Sequence, residues 1–457
     1  MEAIGNFFQN FLNIGSTVVL PIFIFIFAMI LGTKPGRAFR SAVLIGISLT
    51  GINIMVQFLG SNLGPAMQKM VDNANLHLDI MDVGWGAVAG TIWATPIGAV
   101  GIPVLLIFNI ILLYLRQTKT LMIDMWNYHH LVTIGALIYV GTGNFYLGIL
   151  GTLIGAFITW KLADWSAPFL QKFYNMPGIS LPTLSSISSL IIAVPVNALI
   201  DHIPGLKDIK GDFASAKKYL GVFGESSSMA IIIGIVIGLI AKYDIKDTLK
   251  LAINLAAVMV ILPKVVAILM DGLMPISEAA REKLEKKYGE KGDINLGLDS
   301  AISIGHPSVI TAALILTPFT ILLAAILPMN RVLPFTDLAS ITFRVAFIVA
   351  LVGGNVFRTL ICGIFVIASV LICGTITSPL LTQIFVNSGE ALPKGVAGIA
   401  SFSGGSLFIT FSILQLFLRN IWPILICAVI WVAFFLTRKS QQKKSIEINS
   451  KLGNPAQ

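Results

Sequence analysis

The stretch GRAFRSAVLIGISLTGINIMVQFLGSNLGPA, residues 36–66, returns in a second form as KDTLKLAINLAAVMVILPKVVAILMDGLMPI, residues 246–276. The two align without a gap, and Pro65 falls on Pro275. Each opens on basic residues (Arg37 and Arg40; Lys246 and Lys250), continues as one apolar span and closes on a Gly/Pro stop. Identity inside the window is low, but the landmarks beyond it extend the match. Asp82 pairs with Asp299, Asp124 with Asp337, and Gly143-Asn144 with Gly354-Asn355, in the same order at nearly the same spacing. A duplicated transporter half leaves this kind of trace.

Apolar runs long enough to cross a bilayer recur on both sides of these stretches. Of the 457 residues 56% are hydrophobic and only 12% charged, against about 25% charged in soluble domains. The runs do not alternate polar and apolar residues, which excludes a β-barrel. The expected fold class is an all-α polytopic membrane protein. In such a chain a net charge of +9 is first a statement about topology, so no nucleic-acid partner is expected. Cys362, Cys373 and Cys427 all lie in apolar runs without metal-ligand spacing. There is no G-x-x-x-x-G-K-[ST] loop, hence no direct ATP coupling, and no cofactor is expected. No Lys or Arg precedes the first apolar run, so that run is not read as a signal peptide.

Eleven spans are expected, at about 11–31, 39–59, 97–115, 126–141, 145–163, 226–242, 248–270, 310–328, 338–352, 356–377 and 420–437. Between them, 83–96 and 298–309 read as broken elements, too short and too rich in Gly or Pro to span. Residues 164–177 read as a helix lying in the interface, and 178–200 and 398–418 as re-entrant hairpins. Segments 201–225 and 277–293 read as charged loops. The organisation is then a first repeat at 1–210, a second at 211–418, a last span at 419–437 and a polar, disordered tail at 438–457. Five spans per half is an odd number, so the halves are inverted. Basic residues (Lys34, Arg37, Arg40; Arg116, Lys119; Lys207–Lys218; Lys283–Lys287; Arg438, Lys439) then mark the cytoplasmic side. The N-terminus lies outside and the C-terminus inside.

Polar groups at membrane depth are costly and therefore the functional candidates. Asp82 and Asp299 open the two broken elements, where a carboxylate either accepts hydrogen bonds from a solute hydroxyl or caps a half-helix. Trp85 and Trp93 flank the first element and suit either the apolar face of a sugar or a headgroup anchor. His306, followed by Pro307, can both donate and accept. Asn127 and His130 stand one turn apart and can face one cavity. Asp337 is a solute ligand or a cap. Ser185 and Ser186, with Ser403 and Ser406, bring hydroxyls to the two hairpins. Glu225 suits a cap of the following helix. Arg358 reads as an interfacial, snorkelling side chain. Lys264 and Arg344 lie deep in apolar runs, with no partner evident.

These residues fall in segments that resemble a known family. DVGWGAVAGTIWA (82–94), DMWNYHH (124–130), GDFASAKKYLGVFGE (211–225), MDGLMPISEAAR (270–281), GLDSAISIGHPSV (297–309), RVLPFTDLA (331–339) and GGNVFRTLICG (353–363) look like the galactitol-type enzyme IIC, the membrane component of the bacterial phosphoenolpyruvate-dependent sugar phosphotransferase system. The ascorbate-type enzyme IIC is a more distant likeness. The resemblance covers about 1–437 and implies a homodimer in the bacterial cell membrane, each protomer with a scaffold and an elevator-type transport core. It also implies a sugar alcohol substrate, carried inward and phosphorylated by a separate enzyme IIB, itself fed by enzyme IIA. Asp82, Trp85, Trp93, Asn127, His130, Asp299, His306, Asp337 and Asn355 fall on motif positions. One position departs: Thr183 stands after Pro182 where the galactitol pattern implies a His. Without the resemblance, the competing reading is an ion-coupled secondary transporter of a small polar solute. No catalytic constellation supports a membrane-embedded enzyme.

Overall fold

The computed structural model describes residues 32–73, 78–93, 95–122, 124, 127–207, 209, 211, 226–288, 294–334, 336–387, 392 and 397–452, and helical residues at 21–22, 25–26 and 28–29. The first long helix, α1 (Pro35–Asn73), runs straight through Pro65. It is followed by strand β1 (Ile80–Asp82), the short helix α2 (Trp85–Trp93) and α3 (Pro96–Tyr114). Then come β2 (Thr120–Met122), α4 (Tyr128–Thr142), α5 (Phe145–Tyr174), β3 (Ile179–Ser180) and α6 (Leu184–His202). The second half holds α7 (Ser226–Ile240), α8 (Ile245–Tyr288), β4 (Asn295–Gly297), a 3-10 turn (Ser300–Ser303) and α9 (Pro307–Ile326). After β5 (Val332–Leu333) a second 3-10 turn (Thr336–Ser340) leads into α10 (Ile341–Leu351) and α11 (Val356–Asn387). The chain closes with β6 (Gly398–Ala400), α12 (Phe408–Leu418) and α13 (Ile421–Leu452). Among the described residues six helices are long and apolar enough to cross a membrane: α3, α5, α6, α9, α11 and α13.

The two stretches that opened the reading pack on each other. Asn254 on α8 donates to Asn62 on α1. A Cβ on Gly51 would lie 2.7 Å from Val265, and one on Gly272 would lie 2.9 Å from Ile45 and 3.0 Å from the Ser41 carbonyl. Positions rise along α1 as their partners fall along α8, so the helices are antiparallel. The expected Gly/Pro stops are therefore wrong, because both helices pass their prolines. A proline inside a helix frees a carbonyl four residues earlier, which close helix packing tolerates at membrane depth.

Among the described residues six very short strands form two parallel sheets, ordered β5-β1-β6 and β2-β4-β3. β1 comes from the first half of the chain and both its neighbours from the second. β4 comes from the second half and both its neighbours from the first. Asn109 on α3 fixes β2, its side chain accepting from Met122 N at 2.9 Å and donating to Thr120 O at 3.0 Å. Arg331, just before β5, is ion-paired with Asp79, just before β1.

Several expected boundaries move. The interfacial helix at 164–177 is the end of α5, held because Trp165 packs edge-on against Phe169 and Phe434. Neither 178–200 nor 398–418 is a hairpin; each is a strand, a turn and one helix, because its first limb pairs into a sheet. Of the loop expected at 277–293, α8 takes residues up to Tyr288, and 289–293 lie outside the described residues. Of 201–225, Asp201 and His202 belong to α6, and Glu225 lies outside the described residues. The tail is helical to Leu452, with Gln441, Ser445 and Asn449 buried. Arg358 is buried as well, donating to Asn197 and Asp201 at 2.8 Å each, so it does not snorkel. Lys264 lies on an exposed face of α8.

Candidate functional site

The broken element after β1 is set by Gly84, whose φ of 85° lets the chain turn from the strand into α2. Asp82 ends the strand fully buried. Its carboxylate accepts from Gly84 N at 3.1 Å and, across the two halves, from Asp337 N at 2.7 Å. Asp337 returns the contact: one oxygen accepts from Trp85 N at 2.9 Å, the other from Ser401 Oγ at 2.7 Å and Phe402 N at 2.9 Å. Each carboxylate thus occupies amides at the start of the other half's helical element, where negative charge is favoured.

Two buried carboxylates need a counter-charge. Arg344, on α10 and fully buried, has Asp337 and Asp82 as its electrostatic partners. Its fork donates from Nη1 to Ser185 O and from Nη2 to Ser403 Oγ, both at 2.9 Å. The Ser403 carbonyl lies 2.8 Å from His130 Nδ1. Since the carbonyl only accepts, Nδ1 carries the proton. The His129 ring lies 3.9 Å from that of His130 and 6.2 Å from that of Trp85, which is half-buried at the start of α2.

A second polar node lies around the other broken element. Asp299 accepts from Ala301 N at 2.9 Å and Thr183 Oγ1 at 3.3 Å, and Thr183 Oγ1 accepts from Ser300 N at 2.8 Å. Ser186 and Ser300 share a hydroxyl–hydroxyl bond at 2.8 Å. Asn127 donates to Asp124 and also reaches Asp299. Thr183 therefore fills the place of the implied His with a hydroxyl bridge to the carboxylate.

The structure brings Asp82, Trp85, His130, Ser185, Asp337 and Ser403 together around Arg344, and Asn127 and Asp299 around Thr183. Among the described residues no side-chain hydrogen bond joins His306 to either node; only its backbone N–H reaches back, to Ser303 O at 3.4 Å. Its Nδ1 accepts from Ser308 N at 3.2 Å, capping α9, and its ring packs on Phe173 and Tyr174. Trp93 closes α2, and its side chain lies outside the described atoms. Asn355 caps α11, accepting from Arg358 N at 2.9 Å. The sequence reading missed Ser401, His129 and the role of Thr183. It noted Arg344 without partners; the signal was a lone Arg in the apolar run ITFRVAFIVAL. Among the described residues no group of three His, Cys, Asp or Glu side chains is placed to hold a metal.

Long apolar helices around a buried, largely hydrogen-bonded polar core define a multi-pass membrane permease. A family model described as the sugar-specific permease component of the PTS system, EIIC-GAT, matches residues 10–395, and the chain belongs to that family. It is 39% identical over 428 residues to the galactitol-specific EIIC component of the PTS system from Escherichia coli strain K12, covering 93% of this chain and 94% of that one. The component of the same name from Escherichia coli O157:H7 matches to the same extent. A putative permease IIC component of strain K12 is 33% identical over 401 residues, covering 88% of this chain and 92% of that one.

Proposed function

We propose that this chain carries a hexitol, galactitol first among them, across the bacterial cell membrane as the enzyme IIC of a phosphotransferase system. The observation that carries the substrate is the 39% identity to a galactitol-specific component over nearly the full length of both chains. The site chemistry agrees. Asp82 and Asp337 are committed largely to backbone amides and share one arginine, which suits a neutral, hydroxyl-rich solute. Asp82, Trp85, Trp93, Asn127, His130, Ser185, Asp299, Asp337 and Ser403 are the proposed substrate-side residues, with His306 holding the start of α9.

The halves are inverted repeats in this reading. The antiparallel α1–α8 pair and the exchange of strands between the two sheets support it. Eleven spans with the N-terminus outside follow from the charge bias. α8 packs chiefly on α1 and α7, which supports a scaffold separate from a polar core that moves like an elevator. The chain works as a homodimer and carries no phosphoryl acceptor of its own, so the phosphate comes from a phosphocysteine on enzyme IIB, supplied by enzyme IIA. Its dock is assigned to the charged segments 201–225 and 277–293, of which 212–225 and 289–293 lie outside the described residues. Calorimetric titration of the purified protein with galactitol, sorbitol, mannitol, ribitol and ascorbate tests the substrate. Galactitol is expected to bind at least about tenfold more tightly than the others. Preference for ascorbate, or no binding of any polyol, would overturn the assignment.

A further inference from the structure

Arg344 has a second side. Its Nη atoms are bonded to Ser185 and Ser403, but its Nε–H has no hydrogen-bond partner among the described residues although the residue is fully buried. A buried guanidinium N–H left unpaired is costly and asks for an explanation. Beside it lies a cavity of about 10 Å³, lined by Arg344, by Ser185, Ser188 and Ser189 of α6, by Ser369 of α11 and by Phe408 of α12. A space of that volume has room for about one water or one hydroxyl group.

The hydroxyls around it have spare capacity. Ser188 Oγ accepts from Ile409 N at 3.1 Å, which leaves its own proton to give. Among the described residues Ser369 Oγ meets only the Cys373 thiol, at 3.7 Å. A hydroxyl entering this space could accept from Arg344 Nε and exchange a hydrogen bond with Ser369. A carboxylate or phosphate would add negative charge beside Asp82 and Asp337, which are already the electrostatic partners of Arg344.

We propose that this cavity is the subsite for a single hydroxyl of the transported polyol, held by Arg344 Nε and Ser369 Oγ, and that it selects neutral sugar alcohols over acidic sugars and sugar phosphates. The assignment rests on the polyol reading above and adds two residues to it. α6 and α10 supply the walls from different halves of the chain, so a bound hydroxyl also registers their relative position.

The test is a cycle between ligand and protein. Galactitol and its single-deoxy analogues are titrated into full-length wild type, Arg344→Lys, Ser369→Ala and Ser369→Val. In wild type, removal of one particular hydroxyl is expected to weaken binding by about tenfold or more. That penalty is expected to shrink below about threefold in Arg344→Lys and in Ser369→Val, which fills the cavity with methyl groups, while penalties at the other positions persist. Ser369→Ala is expected to lie between. A purely structural role would change all analogues alike. If Arg344→Lys does not fold, the Ser369 pair still decides. Penalties unchanged at every position in folded Ser369→Val would overturn the subsite while leaving the polyol reading intact. Absence of any polyol binding to wild type would remove both.

Discussion

Asp337 illustrates how one side chain can organise two halves of a chain. It accepts from Trp85 N, Ser401 Oγ and Phe402 N and faces Arg344. Arg344 keeps Asp82 when Asp337 is removed, so the loss falls on the three donors left without their acceptor, at about 1–3 kcal/mol each. Asp337→Ala should therefore be far less stable than wild type by thermal unfolding in detergent, with Asp337→Asn intermediate because it keeps an acceptor. An unchanged midpoint for Asp337→Ala would mean the network is not structural. His306 makes the opposite case. As a cap of α9 it should contribute about 1 kcal/mol, so His306→Ala lowers stability modestly and His306→Asn, which can cap, restores it. Galactitol affinity should stay within about threefold in both. A folded His306→Ala that no longer binds sugar would put the ring back in the cavity wall, as the sequence suggested. At this scale the sequence named most of the carboxylates and hydroxyls that the structure gathers into the two polar nodes, because charges at membrane depth stand out. It could not say whether they faced solute or amides, since Asp82 and Asp337 find their partners about 250 positions away along the chain.

Among the elements, the tail was misread for a physical reason. Its composition is polar, which reads as disorder, yet Gln441, Ser445 and Asn449 stand four apart and form a buried polar stripe. Asn449 Nδ2 donates to the carbonyls of Ala350 and Phe169, at 2.9 and 3.1 Å, and Ser445 Oγ to Ala350 O at 3.1 Å. Gln441 donates to Asp201 at 2.9 Å, and Lys444 is ion-paired with the same carboxylate, which also takes Arg358. Each such bond contributes about 1 kcal/mol net. Truncation after Thr437 should therefore lower unfolding stability by about 2–4 kcal/mol, and Asn449→Ala by about 1–2 kcal/mol. A truncated protein with wild-type stability would return the tail to the status of an appendage. The strands escaped the sequence for another reason: two or three residues carry no readable alternation, and their partners lie in the other half. The hairpins at 178–200 and 398–418 were misread for want of that knowledge. The helix ends at Gly143-Asn144 were legible, because Gly143 takes φ 70° and Asn144 caps Tyr146 N and Leu147 N.

For the whole molecule, the apolar runs made most of the long helices legible, while proline misled on where helices stop. The topology follows from basic residues and is open to direct test. A cysteine at Asn75, which lies outside the described residues, should react with an impermeant thiol reagent added to intact cells. One at Lys443, exposed on α13, should not. Labelling at Lys443 in intact cells would reverse the orientation. The central claim is transport coupled to phosphorylation by a partner, and inverted vesicles or proteoliposomes holding this protein test it most directly. Labelled galactitol is supplied on the periplasmic face, with phosphoenolpyruvate, the general phosphotransferase proteins and enzymes IIA and IIB on the cytoplasmic face. Galactitol phosphate should accumulate on the cytoplasmic side only when IIB is present, and a proton or sodium gradient alone should concentrate nothing. Accumulation of unmodified galactitol driven by an ion gradient, without IIB, would contradict the account and make the chain an ion-coupled secondary transporter.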